Sequence, residues 1–198
     1  MEDVLPKLKR VPTSRYSSIL AYQLAQVKAC FLMMIPTATS IVDTTCHIGG
    51  DSLHFANSIY PDAHITAIDV DPVALDCMKT NVAAHSDPSR FTFVNEDCIS
   101  YIFKERPKAD FYYLDPPWGG PNYSNEKQLS LHIGDTPIST LINRILDEKL
   151  TTRVVLKVPR NFAYPTFKRE IRGFASLHYI RKPQKSWTVA YGLILIVR

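Results

Sequence analysis

The stretch Val42-Asp43-Thr44-Thr45-Cys46-His47-Ile48-Gly49-Gly50-Asp51 decides how the rest of the chain is read. Into it runs Ser40-Ile41-Val42-Asp43, a short apolar segment ending on an acid, which is the pattern of a buried strand. Beyond it, Asp51 caps a helix that carries Leu53, Phe55 and Ile59 and is closed by Pro61. The glycine pair lets backbone approach a ligand closely just ahead of a helix N-terminus. In an open parallel sheet such a turn lies beyond the carboxyl end of a strand, where ligands bind.

Reading outward, the same unit recurs. His64-Ile65-Thr66-Ala67-Ile68-Asp69 is a second strand ending on an acid, and Pro72 opens a helix through Ala83. Residues 90–95 and 109–114 read as further strands, with Asp97 just after the first of them. Ile138, Leu141, Ile142 and Ile145 form one stripe of a helix over about 138–146, and the apolar, β-branched run 152–158 is the next strand. Two strands, 176–181 and 189–197, follow with a short polar loop between them. Strand and helix alternate, which predicts an α/β fold: a parallel sheet with helices on both faces and an antiparallel pair at one edge. Residues 1–15 are polar and broken by Pro6 and Pro12, so they read as an arm. From Tyr16 the spacing of Leu20, Leu24, Val27 and Phe31 is helical. The predicted organisation is an arm and helix over 1–35, in a position to contact substrate, and one domain over 36–198.

Composition narrows the class. Of the 198 residues 45% are hydrophobic and 21% charged, which is ordinary for a globular chain. No apolar run approaches the roughly 18 residues that would span a bilayer. The opening Met1-Glu2-Asp3 and the late, short run Cys30 to Ile35 predict no secretory signal, hence a cytoplasmic or nuclear protein. Cys30, Cys46, Cys77 and Cys98 are too far apart for a zinc site or a disulfide scaffold, so reduced thiols and no metal are expected. Charge is segregated: residues 150–198 hold ten basic side chains and one acid, a net of +9, while 36–149 carry a net of −8. A basic end beside an acidic centre suits a polyanion bound by one part only.

The second chemical motif is Asp115-Pro116-Pro117-Trp118-Gly119-Gly120-Pro121-Asn122-Tyr123, at the end of the fourth strand. Consecutive prolines stiffen the backbone and remove two amide donors, so their carbonyls and the Asp115 carboxylate become fixed acceptors. Exocyclic amines of bases are poor nucleophiles because the lone pair is delocalised. Acceptors aimed at the amine hydrogens localise that lone pair and align nitrogen for attack. Trp118 offers a flat π face for a base.

The three strand-end acids and the glycine pair resemble the S-adenosylmethionine motifs of Rossmann-like methyltransferases, whose sheet is seven-stranded and mostly parallel. That resemblance implies that Asp43, Thr45, Cys46 and Gly49 surround the methionine end, Asp69 holds the ribose and Asp97 meets the adenine amine. His47 stands where relatives carry the first glycine; if that glycine serves a positive φ, histidine there is costly. The second motif is similar to that of amino methyltransferases acting on nucleic-acid bases. With Gly119-Gly120-Pro121, Tyr123, Asn81 and Val158-Pro159-Arg160-Asn161 it resembles the trimethylguanosine synthase family, which methylates the 2-amino group of a 7-methylguanosine cap.

The likeness covers about 40–198. It implies catalysis at Asp115, Pro116 and Trp118, with substrate contacts from Asn81, Pro117, Trp118, Tyr123 and Arg160 and a capped RNA or cap analogue as partner. Asn81 would bond the base edge, Trp118 would stack on the cationic ring with a cation–π gain of about 0.5–2 kcal/mol, and Lys157 and Arg160 would meet the phosphates. Lys7, Lys9, Arg10, Arg15 and Tyr16 of the arm are further candidates. Two other readings stay open: methylation of adenine or guanine amines within DNA or RNA, and a catalytically silent cap- or RNA-binding module.

Overall fold

A computed structural model describes residues 8–11, 21–120, 122–182 and 185–198. Lys7, Arg15, Tyr16, Leu20 and Pro121, together with part of the final polar loop, lie outside the described residues. Seven strands belong to one sheet, and the chain divides into two compact units, 1–110 and 111–198. The α/β class and the mostly parallel sheet are those the alternation predicts.

The first unit contains α1 (Ala21–Met34), β1 (Ser40–Asp43), α2 (Gly50–His54) running into a π turn at Phe55–Ile59, β2 (His64–Ile68), α3 (Pro72–His85), β3 (Phe91–Val94) and α4 (Cys98–Glu105). Its strands are parallel in the order β3-β2-β1, with Asp43 opposite Ala67 and Ile68 opposite Val94. That register brings the chain out of all three strands at one rim, at Asp43, Asp69 and Asn95. The start of α3 shows how the sequence sets an element. The Asp71 side chain accepts from Val73 N at 2.9 Å, and Pro72 supplies a preset φ in the first turn. One face, Ala74, Leu75, Met78 and Val82, is then buried. It joins a core that holds Ile41, Ile48, Ile65 and Ile68, with Phe31 and Phe55 edge to face at 4.9 Å. Each such aliphatic or aromatic side chain stabilises the fold by about 1.5–3 kcal/mol. Tyr60, also buried, donates its hydroxyl to the carbonyl of Ile35 at 2.7 Å, giving a partner to backbone just past α1.

The second unit contains β4 (Phe111–Leu114), the two-residue strands β5 (His132–Ile133) and β6 (Thr136–Pro137), α5 (Ile138–Asp147), β7 (Arg153–Pro159), α6 (Tyr164–Glu170), β8 (Phe174–Lys182) and β9 (Lys185–Val197). Their order in the sheet is β4-β7-β9-β8; β7 runs parallel to β4, while β9 is antiparallel to both β7 and β8. All of β4 and all of β7 after Arg153 are buried, as interior strands covered on two faces must be. Lys157 is the charged side chain inside that buried run.

Four features depart from the sequence reading. Helix α2 begins at Gly50 behind a left-handed Gly49, and Asp51 lies inside its first turn instead of capping it. The last two strands extend beyond 176–181 and 189–197, because the antiparallel ladder pairs Phe174 with Val197 and Lys182 with Lys185, beyond the segments that alternation marks. Helix α4 escapes periodicity because only Cys98 and Ile102 of its eight residues are buried. Helix α6, seven residues long, buries Phe167 alone.

Candidate active site

In the first unit the site is built largely from backbone held by carboxylates. Strand β1 delivers Asp43, which is only 1% exposed, and Ser52 Oγ of α2 donates to its Oδ2 at 2.5 Å. The chain then passes through two left-handed residues, His47 at φ 49° and Gly49 at φ 84°. The position where relatives carry glycine does have a positive φ, and histidine occupies it at a cost of about 1–2 kcal/mol. His47 N donates to Asp69 Oδ2 at 2.7 Å, and Cys46 N donates to the carbonyl of Ile68 at 2.9 Å. These bonds tie the loop to the end of β2 and offset the strain. Asp69 Oδ1 accepts from Asp71 N at 2.9 Å, so each Asp69 oxygen holds one amide and keeps acceptor capacity for hydroxyls.

Gly49 is fixed by space as well as by φ: a Cβ there would lie 2.6 Å from Cγ of the fully buried Met78. Burial disfavours the charged forms of His47 and Cys46. Burial holds the His47 imidazole below its ordinary pKa against the pull of Asp69 and Asp71. Burial, followed by the charges of Asp43 and Asp69, pushes the Cys46 thiol well above its usual range. Asp97 is exposed and caps α4 by accepting from Ser100 N at 2.8 Å. Asn95 links the ends of β2 and β3 by donating to the carbonyls of Asp69 at 2.9 Å and Val70 at 3.2 Å.

Asn81 is 2% exposed on α3. Its amide donates to the carbonyls of Ile48 at 2.9 Å and Lys9 at 3.1 Å, and its Oδ1 accepts from Lys9 N at 2.6 Å. Both amide hydrogens are thus engaged in fastening the arm to the glycine loop. The resemblance places this residue at the base edge.

In the second unit the site is built from side chains. Strand β4 ends at Leu114, and Asp115 follows, with Lys157 Nζ donating to its Oδ2 at 2.8 Å. Lys157 is 5% exposed, and its ammonium also lies 5.3 Å from the centroid of the Tyr191 ring on β9. It does not join the exposed cations that could meet phosphates, as the charge count suggests; a buried lysine needs a counter-charge, and Asp115 supplies it. Arg172 and Arg198 are likewise engaged, both with Asp147. Arg160 is exposed at the end of β7.

Pro116 is buried and Pro117 exposed, and Gly119 and Gly120 turn the chain with φ of 91° and 78°. Trp118 is half-buried against Tyr123, edge to face at 5.3 Å, and its Nε1 is buried without an acceptor among the described residues. Asn161 donates to the carbonyls of Tyr123 at 2.9 Å and Glu126 at 2.8 Å, which pins this loop, and its Oδ1 is buried without a donor among the described residues. Sequence reasoning quotes Asn161 but gives it no role. It also misreads Lys157, although a lysine within an apolar strand was the signal.

Among the described residues no three His, Cys, Asp or Glu side chains group to hold a metal ion, and no helix is long and apolar enough to cross a membrane. The left-handed loop at a helix N-terminus and the strand-end carboxylates fit the methionine and ribose ends of S-adenosylmethionine. Solved structures agree on the architecture. A SAM-dependent methyltransferase from Agrobacterium tumefaciens superposes with a TM-score of 0.64 at 14% identity, covering 92% of this chain and 64% of that one. The fold is therefore the Rossmann-like fold of S-adenosylmethionine-dependent methyltransferases.

The family is narrower still. The model of the family described as RNA cap guanine-N2 methyltransferase matches residues 38–175. The chain belongs to that family. It is similar to the trimethylguanosine synthase of Schizosaccharomyces pombe, 28% identical over 144 residues, covering 70% of this chain and 56% of the yeast protein. An uncharacterized protein of Acanthamoeba polyphaga mimivirus is 24% identical over 135 residues, 68% of this chain and 51% of the viral one. The chain thus spans about half the length of these curated relatives.

Proposed function

We propose that the protein transfers methyl from S-adenosylmethionine to the exocyclic 2-amino nitrogen of a 7-methylguanosine RNA cap. The observation that carries this reading is the corner after β4. There a carboxylate is fixed by a buried lysine, and an indole N–H in the same segment has no acceptor among the described residues. Family membership supports the choice of guanine-N2 over other base amines.

In this mechanism Asp115 and the Pro116 carbonyl accept hydrogen bonds from the amine and turn its lone pair toward the methyl group. Trp118 stacks on the methylated guanine, whose positive charge adds about 0.5–2 kcal/mol over a neutral ring. Tyr123 and Pro117 flank the indole, and Asn81 stands behind the glycine loop. Arg160 takes the cap phosphates, for which a planar guanidinium fork is suited. Asp43, Thr45, Cys46 and Gly49 enclose the methionine end of the cofactor, Asp69 the ribose and Asp97 the adenine amine. The bound cofactor supplies a methyl group made electrophilic by its sulfonium. With that cofactor bound, the nitrogen would take the methyl carbon, the carbon–sulfur pair would stay with sulfur, and the extra proton on nitrogen would pass to water. Residues 36–198 form the methyltransferase domain in this reading, and 1–35 add substrate contacts.

The test is transfer from labelled S-adenosylmethionine to 7-methyl-GTP, to GTP and to oligonucleotides. Label on 7-methyl-GTP and none on GTP is expected. Label on oligonucleotides alone would overturn the cap reading, and label on nothing would leave a silent binding module.

A further inference from the structure

The sequence reading sends Lys157 to the cap phosphates, yet the structure turns it onto the proposed catalytic carboxylate. Its ammonium is 2.8 Å from Asp115 Oδ2, and its side chain comes from β7, inside a run of buried apolar residues. Tyr191 of β9 faces the same ammonium across 5.3 Å. Three neighbouring strands thus converge on one ion pair, its lysine buried and its carboxylate partly so: β4 brings the acid, β7 the ammonium and β9 an aromatic wall. Such a pair is a poor device for stability, because desolvating two charges offsets most of their attraction. It is an effective device for fixing the ionisation and rotation of a carboxylate.

We infer that Lys157 is a positioning residue for methyl transfer, holding Asp115 ionised and fixing the rotation of its carboxyl group toward the amine. The inference rests on the amine-methylation reading given above. Its chemical content is specific. A protonated carboxyl group presents a donor where the amine needs an acceptor, so losing the ammonium blocks the reaction without touching cofactor or base. The pair is also neutral as a whole. Preference for a cationic ring then comes from Trp118, and Asp115 contributes direction instead of net charge.

The experiment is a double-mutant cycle at positions 115 and 157, read by kcat and KM across pH. Lys157→Met is expected to lower kcat at neutral pH by about a hundredfold, the effect of leaving a buried charge unpaired. KM for S-adenosylmethionine should change by less than about threefold, since that ligand is held by the other unit's residues. Removing the ammonium takes away the neighbouring charge that favours the carboxylate, so the variant's activity should recover as pH rises. Lys157 from β7, Asp115 after β4 and the Tyr191 ring on β9 meet in this cluster. Asp115→Asn should be slow at every pH, and adding Lys157→Met to it should cost less than about threefold more. That double variant removes both charges and is expected to melt near the wild type, which guards against a folding artefact.

Equal losses from Lys157→Met in the Asp115 and Asp115→Asn backgrounds, or a loss independent of pH, would overturn the inference. A wild-type protein that methylates no base amine would instead overturn the reading beneath it. The two failures are therefore distinct.

Discussion

The glycine loop of the first unit and the tryptophan corner of the second solve the same problem by opposite means. In the loop, the groups proposed to face the cofactor are backbone, and carboxylates stand behind them: Asp69 holds the amides of His47 and Asp71, and Asp43 takes the Ser52 hydroxyl. In the corner, the groups proposed to act are side chains, and other side chains stand behind them: Lys157 behind Asp115, and Asn161 beneath the Tyr123 turn. The difference teaches where each half is vulnerable. A site made of backbone fails when a conformation is forbidden, whereas a site made of side chains fails when a partner is removed.

Gly49→Ala puts the heaviest load on that contrast. Both the left-handed φ and the approach to Met78 oppose a Cβ, for a combined cost of about 2–4 kcal/mol in chemical denaturation. S-adenosylmethionine affinity should fall by more than about tenfold while 7-methyl-GTP affinity changes by less than about twofold. Equal loss of both ligands would show that the two regions do not act separately.

Ser52→Ala is the milder case. It deletes one hydrogen bond to a buried carboxylate and should cost about 1.5–3 kcal/mol of stability by the same measurement. A neutral result would mean that Asp43 is satisfied without Ser52.

The same contrast explains what the amino-acid sequence makes legible. Strands β1, β2, β4 and β7 are short apolar runs bounded by acids, glycine or proline, and α3 carries its cap in Asp71-Pro72, so local chemistry announces them. The backbone-built loop is legible too, because a glycine pair after a strand-end acid has few uses. The left-handed conformation at His47 is what the structure adds to the motif's glycine position.

Supporting side chains are harder to see because their partners lie far off in sequence. Lys157 and Asp115 are 42 positions apart, and Asn161 reaches back 38 to Tyr123. Asp97 looks like a ligand contact from its place after β3, yet the structure also gives it a capping bond that a strand-end acid does not advertise. Asn81 looks like a base contact from its motif, and the partners of its amide, Lys9 and Ile48, lie 72 and 33 positions away.

The central claim is that the tryptophan corner holds the methylated base while the glycine loop holds the cofactor. Calorimetric titration of S-adenosylmethionine and of 7-methyl-GTP into the wild type and into Trp118→Ala tests it most directly. The account predicts that Trp118→Ala weakens 7-methyl-GTP by about tenfold or more, from the lost stack and cation–π attraction, and leaves S-adenosylmethionine within about twofold. Loss of both ligands would make Trp118 a structural residue, and undiminished 7-methyl-GTP binding would place the base elsewhere. Either result would contradict the account.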